Sequence, residues 1–398
     1  MSLISNFVRE GVLTPAEYEQ FTHMATMGTA PTSKSFKESC IEQKSSEVVS
    51  IDDAKIPLFD LAAIITSTGQ ERINQVNAFG SALKEVGFVA IKAEEISSLI
   101  EKVTAQMEAY FSQSHQKKME DDHKNNFQTG FWPQGFETAA GASQPDNKET
   151  YFIPPNYKKW PTFSSLQEQE AFKSTMEEYQ SILTTYATSC MSLIAEYLGE
   201  STENVSQSIT SAHNLLRLAH YFASESNAPR AGAHYDLNCL TLLPPATGPG
   251  LQLRDKMGVW KSINVQKGYL IVNTGEQLEK KTAGKIKATL HRVVKAENEK
   301  AAKRLASIFF ASWSTSFSLK PFENCIVEMT KGMSNEEKAE YLKQYPNVNV
   351  MENLLSRLIE MGSILDPKEE LIRDLHAKDL LKQPPKAIKD KYSEIFAN

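Results

Sequence analysis

The sequence predicts a mainly β fold with flanking helices, and three observations support this. After Asn214, short segments of β-type composition follow one another closely, and turn residues separate several of them. Closely spaced short strands of this kind indicate a β-sandwich or barrel. Before Asn214, apolar residues recur at helical spacing over Glu94–Ser112, and a long helical stretch over Leu166–Leu198 ends at Gly199. No internal repeat is evident, which excludes solenoids and propellers. The β-type segments are LLRLAHYF, CLTLLPP, GLQLRD, VWKSINV, YLIVNTG, ATLHRVV and RLASIFFAS.

The composition is that of an ordinary globular protein. The 398 residues include 43 Lys and Arg against 49 Asp and Glu, so the formal net charge is −6 at pH 7. With 41% hydrophobic residues, the chain does not resemble a disordered protein. The acidic charge lacks the basic footprint of nucleic-acid-binding proteins, and no apolar run approaches the roughly 20 residues that span a bilayer. We therefore expect neither nucleic acid nor a membrane as a partner, and no signal peptide. The sequence does not determine the oligomeric state, and a monomer is favoured.

The cysteines indicate a reducing environment. Cys40, Cys190, Cys239 and Cys325 occur singly, without a Cys-x-x-Cys pair. This spacing argues against a cysteine zinc site and against a disulfide-dense secreted scaffold. The sequence thus predicts free thiols and a cytoplasmic location.

Composition divides the chain into three parts. Residues 1–50 are predicted to form an extension, with a short helix after Thr14-Pro15 and then a linker rich in Ser, Lys and Thr. Residues 51–330 are predicted to form the main domain, in which a helical and mixed half (51–212) precedes a β core (213–315). Residues 331–398 are predicted to form a helical C-terminal extension. Its helices are expected around Asn335–Gln344, Met351–Met361 and Lys386–Phe396.

Local signals predict the elements in the first half of the main domain. Ile56–Phe59 is expected to be a short strand. A helix over Gln70–Val86 follows, with Gly87 where a left-handed C-cap residue belongs, and Phe88–Lys92 is expected to be a second strand. The aromatic and Gly/Pro-rich segment Asn125–Gln144 is predicted to be a loop.

The β core contains a candidate metal site at His234-Tyr235-Asp236. Residues i and i+2 of a strand project to the same face, so His234 and Asp236 can reach one point inside a barrel. An imidazole and a carboxylate are two of the three ligands in the facial triad of non-haem Fe(II) oxygenases. The third ligand could be His291, 55 residues further on in ATLHRVV. About one His-x-Asp/Glu is expected by chance at this composition, so the motif alone carries little weight.

The order of segments resembles the isopenicillin N synthase-like branch of the Fe(II)/2-oxoglutarate-dependent dioxygenases. HYDLNCLTLL, PGLQL, the tryptophan of GVWKSI, VNTGEQLE and LHRVV follow each other as the corresponding motifs do in that branch. Upstream, IPLFDL, ALKEVGFVAI, DNKETYFI and LLRLAHYF are similar to its N-terminal half. The resemblance covers Ile56–Ser312. It implies a distorted double-stranded β-helix, or jelly roll, with helices on one side. It also implies that His234, Asp236 and His291 bind Fe(II) and form the catalytic centre.

The resemblance further assigns residues to the co-substrate. Arg304 in RLASIFF lies where the family places the arginine that binds the distal carboxylate of 2-oxoglutarate, and Tyr221 aligns with a tyrosine whose hydroxyl contacts it. A buried dicarboxylate needs a charge partner, and a guanidinium supplies one in bidentate geometry. The family usually has a serine where this chain has Ala306, and Ser307 is expected to point to the opposite face of the strand. Ala219 likewise replaces an asparagine that is common in plant members.

These observations lead to the hypothesis of a mononuclear non-haem Fe(II) oxygenase. It would use O2 and 2-oxoglutarate to hydroxylate, desaturate or cyclise a small molecule that the sequence does not identify. Two alternatives remain open because Ala219 and Ala306 depart from the family pattern. One is an oxidase of the isopenicillin N synthase type, which takes all its electrons from the substrate. The other is a catalytically silent relative that acts as a binding module. A hydrolytic zinc site is more remote, since nothing else in the chain indicates hydrolysis. Glu276 replaces the usual Asp of a Gly-Asp turn, which is a mild change.

Overall fold

The computed structural model shows two β-sheets with helices packed on the larger one. It describes residues 56–121, 129–135, 146–210, 214–223, 229–295, 302–360, 364 and 367–397. The predicted N-terminal extension, and the loop Asn125–Gln144 except for 129–135, lie outside the described residues. The predicted mainly β fold with flanking helices is confirmed, although neither sheet closes into a barrel within the described part of the chain.

Twelve strands are present among the described residues, and composition predicts seven of the eight that follow Asn214. They are β1 Leu58–Phe59, β2 Phe88–Lys92, β3 Gly130–Trp132, β4 Lys148–Ile153, β5 Leu215–Tyr221, β6 Ala231–His234, β7 Leu240–Leu243, β8 Leu251–Arg254, β9 Trp260–Ser262, β10 Tyr269–Thr274, β11 His291–Val293 and β12 Arg304–Ala311. The short strand β3 lies within the segment predicted to be a loop, and it forms because it pairs with β4. The major sheet has the order β1-β2-β10-β7-β12-β5-β4-β3, and the minor sheet has the order β6-β11-β8-β9. Apart from the parallel pair β1–β2, neighbouring strands are antiparallel.

The helices lie before and after the eight strands that follow Asn214, except for one short helix between β10 and β11. They are α1 Leu61–Thr66, α2 Gly69–Val86, α3 Ser97–Phe111, α4 His115–Met119, α5 Leu166–Leu198, α6 Thr202–Thr210, α7 Glu276–Lys281, α8 Glu323–Met329, α9 Asn335–Leu342, α10 Val350–Glu360, α11 Glu369–Ala377, α12 Lys386–Lys391 and α13 Ser393–Phe396. No helix among the described residues is both long enough and apolar enough to cross a bilayer.

The predicted helix ends follow from local chemistry. Helix α5 begins with a capping box between Ser165 and Glu168, and it ends at Gly199, whose φ of 71° is the left-handed conformation that favours glycine. Gly87 ends α2 in the same way with a φ of 72°. The predicted helix from Glu94 begins as a 3₁₀ turn and becomes α-helical only at Ser97.

Two apolar cores lie on opposite faces of the major sheet. The larger core packs helices, α5 above all, against one face of the sheet and includes Phe172, Tyr179 and Leu218. The smaller core lines the space between the two sheets and includes Tyr221, Leu251 and Ile308. Because side chains alternate along a strand, β5 and β12 contribute to both cores. The space between the sheets contains the cavity described next.

Candidate metal centre

The structure brings the three predicted metal ligands together at one end of the cavity. His234 is the last residue of β6 and His291 the first of β11, and the two residues face each other in the antiparallel register. Their ring centroids are 4.4 Å apart. Asp236 lies two residues beyond the end of β6, so its position depends on the turn after the strand as well as on strand alternation.

The distances between the three side chains suit a single metal ion. One nitrogen or oxygen atom from each lies within 4.8 Å of the others. Nε2 of His234 is 3.7 Å from Oδ1 of Asp236, and Nε2 of His291 is 3.6 Å from Oδ2 of the same carboxylate. Two ligands that are each about 2.1 Å from one ion can be at most about 4.2 Å apart, and the distance from Nε2 of His234 to Oδ1 of Asp236 satisfies this limit.

Backbone carbonyls set the orientation of both imidazoles. Nδ1–H of His234 donates to the carbonyl of Gly232 at 2.8 Å, and Nδ1–H of His291 donates to that of Thr289 at 3.0 Å. Each Nε2 therefore carries the lone pair and faces the other two side chains. Hydrogen bonds of this type fix the tautomer of metal-binding histidines in proteins.

The Asp236 carboxylate is buried and is held by two polar side chains. Its Oδ2 accepts hydrogen bonds from Oγ1 of Thr241 at 2.6 Å and from Nδ2 of Asn273 at 2.7 Å. Nδ2 of Asn238 donates in turn to Oγ1 of Thr241 at 3.1 Å. These contacts leave Oδ1 facing His234. Sequence reasoning missed Thr241, Asn238 and Asn273, although an asparagine within the apolar strand YLIVNT is a signal of a buried polar partner.

The protonation states are those that a divalent cation requires. Burial alone raises the pKa of Asp236, but the nearby imidazoles and the hydrogen bonds from Thr241 and Asn273 outweigh it and hold the pKa below its usual value. Partial loss of hydration in the cavity, together with the neighbouring His291, lowers the pKa of His234 to about 4. Near neutral pH the carboxylate is therefore ionised and His234 is neutral. Metal ligands must be deprotonated in this way.

The backbone of the Asp236 turn is fixed by the start of α7. The amide of Glu276 donates to the carbonyl of Asp236 at 2.8 Å, and the amide of Gly275 donates to that of Cys239 at 3.0 Å. A Cβ at position 275 would lie 2.1 Å from the carbonyl oxygen of Asn238, so only glycine allows this close approach.

Arg304 and Tyr221 lie in the same cavity as the three ligands. The two residues face each other across β12 and β5, and the guanidinium carbon of Arg304 is 5.2 Å from the centroid of the Tyr221 ring. Nε of Arg304 donates to the carbonyl of Gly248 at 2.9 Å. The ring and the carbonyl together orient the guanidinium within the cavity.

The departures from the family pattern lie beside this arginine. Ala306 and Ala219 are directly opposite each other in the register, and Ala306 lines the cavity. The hydroxyl of Ser307 is 2.9 Å from that of Tyr179 on the helix-covered face, as the alternation of side chains predicts. Ser307 therefore does not replace the missing serine.

Comparison with protein families gives two matches. A model described as the 2OG-Fe(II) oxygenase superfamily matches residues 212–312, and one described as "non-haem dioxygenase in morphine synthesis N-terminal" matches residues 56–174. Together they span just over half of the chain.

Individual relatives agree with these matches. Clavatol oxidase claD of Penicillium crustosum is 26% identical over 306 residues, which cover 68% of this chain and 89% of the relative. The 2-oxoglutarate-dependent dioxygenase thnC of Trichoderma harzianum is 24% identical over 63% of this chain and 84% of its own. The crystal structure of a full-length Neurospora crassa protein in complex with alpha-KG superimposes with a TM-score of 0.66 at 23% identity, and the match covers 78% of this chain and 97% of that protein. This likeness confirms the predicted double-stranded β-helix fold.

Proposed function

Because the chain belongs to the 2OG-Fe(II) oxygenase superfamily, we propose that it is a mononuclear non-haem Fe(II) oxygenase that uses 2-oxoglutarate and O2 to oxidise a small molecule. His234, Asp236 and His291 are the proposed iron ligands. The observation that carries this proposal is the convergence of two Nε2 atoms and one carboxylate at the end of a cavity. Two histidines and one carboxylate are the donor set that non-haem Fe(II) oxygenases use.

The protein contributes position and charge to the reaction. Bound iron supplies the activation of O2, which is coupled to the oxidative decarboxylation of 2-oxoglutarate. The carboxylate of Asp236 offsets part of the charge of the cation, while Thr241 and Asn273 hold its second oxygen. With these three protein ligands, a bound ion would have further coordination positions for the co-substrate and O2. The apolar lining, which includes Leu251 and Ile263, limits access of water.

Arg304 and Tyr221 are the proposed partners of the distal carboxylate of 2-oxoglutarate. Arg304 is buried where it lines the cavity, and a carboxylate matches the planar guanidinium in charge and in shape. Its contacts with Gly248 and with the Tyr221 ring orient the group before the co-substrate arrives. This pre-organisation reduces the entropic cost of binding.

Ala306 is the observation that favours a second candidate. Without a hydroxyl at this position, the co-substrate loses a hydrogen bond to a charged group, which costs roughly 1.5–3 kcal/mol. An oxidase of the isopenicillin N synthase type would not need that hydrogen bond. The experiment below distinguishes the two.

We propose in addition that the enzyme is a cytoplasmic monomer that does not bind nucleic acid. Cys190, Cys239 and Cys325 are buried free thiols, which suit a reducing compartment, and the net charge is −6. Light scattering after gel filtration is expected to give the 44.5 kDa of one chain.

Anaerobic titration tests the proposed function. Fe(II) is added to the full chain and then 2-oxoglutarate, and the visible metal-to-ligand charge-transfer band of a chelated 2-oxo acid is recorded. The band is expected in the native protein, absent in His234→Ala and weakened in Arg304→Ala. Arg254→Ala is the matched control, because Arg254 has its Nε on the carbonyl of Gly258 and is not part of the cavity lining. Iron binding without a band would favour the oxidase, and the absence of iron binding would contradict the proposal.

A further inference from the structure

A second arginine lies on the floor of the cavity, which is the face of β5 and β12 that lines it. Arg217, Ala219 and Tyr221 are alternate residues of β5 and therefore project to the same face, and Arg217 and Tyr221 both line the cavity. Arg304 is opposite Tyr221, whereas Arg217 is opposite Ile308. The two arginines thus mark two ends of the floor, with backbone positions about 13 Å apart at roughly 3.3 Å per residue.

The charge of Arg217 is not balanced within the described part of the chain. No carboxylate oxygen of the described residues lies within 4.0 Å of its guanidinium nitrogens, and its Nε is buried without a hydrogen-bond partner. By contrast, Arg72 and Arg373 each form an ion pair at 2.6 Å. A partly buried cation without a partner is costly, so it indicates a ligand that supplies the negative charge.

The surroundings of Arg217 are apolar and aromatic. Its guanidinium carbon is 5.0 Å from the centroid of the Phe310 ring, and Ile308 and Phe152 flank it on the neighbouring strands. Leu243 and Val265 also line the cavity. A ligand that binds beside Arg217 would therefore contact one cationic group and otherwise apolar side chains.

We propose that Arg217 binds a carboxylate of the substrate, so that the substrate class is an organic acid with an apolar body. This inference rests on the proposed function, because it treats the cavity as the place of oxidation. A carboxylate fits because both of its oxygens can accept hydrogen bonds from one guanidinium group. The low polarity around Phe310 strengthens this ion pair. The distal carboxylate of 2-oxoglutarate is assigned to Arg304 at the other end of the floor. The acid group and the 2-oxo acid therefore occupy different positions.

Matched acid and amide probes test the inference. The full chain is loaded anaerobically with Fe(II) and 2-oxoglutarate. A panel of aryl and alkyl carboxylates, beginning with 3-phenylpropanoate, is then titrated against the corresponding neutral amides by calorimetry. We expect acids from the panel to bind about 10- to 100-fold more tightly than their amides, the factor for a hydrogen bond to a charged group. In Arg217→Met, which keeps the apolar stem, acid binding is expected to fall to the level of the amide. Arg217→Lys should recover part of the preference, and the control Arg254→Met should leave it unchanged.

The outcomes separate this inference from the proposed function. The charge-transfer band should persist in Arg217→Met, which shows that the protein is folded and that Arg304 still holds the 2-oxo acid. Loss of the band in Arg217→Met alone would overturn the inference, because Arg217 would then bind 2-oxoglutarate, and the proposed function would stand. Acids that bind no more tightly than amides, or no acid binding at millimolar concentration, would also overturn it. Absence of the band in the native protein would instead contradict the proposed function.

Discussion

The chemistry of the centre depends on how Asp236 is held. This residue carries negative charge among the proposed ligands, and its Oδ2 accepts from both Thr241 and Asn273. The two donors fix the plane of the carboxylate, so Oδ1 is presented to the metal without further rotation. Outer partners of this kind commonly change metal affinity by about 10- to 100-fold.

Thr241→Val is therefore expected to weaken Fe(II) binding by about 10- to 100-fold while the fold is retained, because valine has nearly the same shape but donates no hydrogen bond. Anaerobic titration with Fe(II) measures this change. Thr175→Val is the matched control, since Thr175 is buried in α5 and its hydroxyl donates to the carbonyl of Ala171 within the same helix. Equal iron affinities in the two variants would contradict the role of Thr241.

His234 and Asp236 also make the stability of the metal-free protein depend on pH. The folded-state pKa of His234 is about 4 and thus lies below that of an unfolded histidine, so the unfolded chain binds the extra proton as the pH falls from about 6.5 toward 4. The pKa of Asp236 is also lowered in the folded state, and its contribution is lost on further acidification. Both groups therefore lower the free energy of unfolding at acidic pH.

His234→Leu is expected to show a shallower loss of stability than the native protein between about pH 7 and pH 4, because the variant lacks the imidazole that the unfolded chain protonates. Urea unfolding of both metal-free proteins across this range measures the difference. Curves that stay parallel would show that His234 is not the group that couples protonation to folding here.

At the scale of elements, helix α10 is linked to the turn that carries Asp236 through Glu276. The amide of Glu276 donates to the carbonyl of Asp236, and its carboxylate pairs with Lys280 at 2.8 Å and with Arg357 of α10 at 3.2 Å. Burial raises the pKa of Glu276, but the charges of Lys280 and Arg357 outweigh it, so the pKa is lowered and the group is ionised. The glutamate that replaces the family's usual aspartate thus links the turn at Asp236 to α10.

Removal of Arg357 should leave the buried carboxylate of Glu276 with one ion-pair partner fewer. We expect Arg357→Ala to lower the free energy of unfolding by about 1–3 kcal/mol, the cost of an unsatisfied buried polar group. Urea unfolding measures this, with Arg373→Ala as the control. Arg373 is 52% exposed and pairs with Glu369 one helical turn away, so its loss should cost at most about 0.5 kcal/mol. A cost no greater than that of the control would show that α10 does not support the turn.

At the scale of the whole molecule, the sequence predicts those features that local chemistry determines. The bounds of α5 follow from helical spacing and from Gly199, and the strands β5 and β12 follow from their apolar and aromatic runs. The strand β6 was missed because Ala-Gly-Ala-His has low β propensity, although it carries His234. It forms because β11 pairs with it, which is a contact between distant residues.

Of the candidate site, too, only part could be predicted from the sequence. The proposed ligands His234, Asp236 and His291 could be predicted because metal chemistry restricts residue types and because the order of motifs resembles a family. The partners Thr241 and Asn273 could not, since they reach Asp236 only when β7 and β10 lie side by side in the major sheet. The link from Arg357 to Glu276 likewise depends on the packing of α10, which no local pattern specifies.

The central claim is that two imidazoles and one carboxylate bind one Fe(II) ion. X-ray absorption at the iron edge of the anaerobic Fe(II)-loaded full chain tests it most directly. The account predicts one ion per chain with the scattering pattern of two imidazoles, reduced to one imidazole or lost altogether in His291→Ala. A spectrum without imidazole scattering, or one that His291→Ala leaves unchanged, would contradict it.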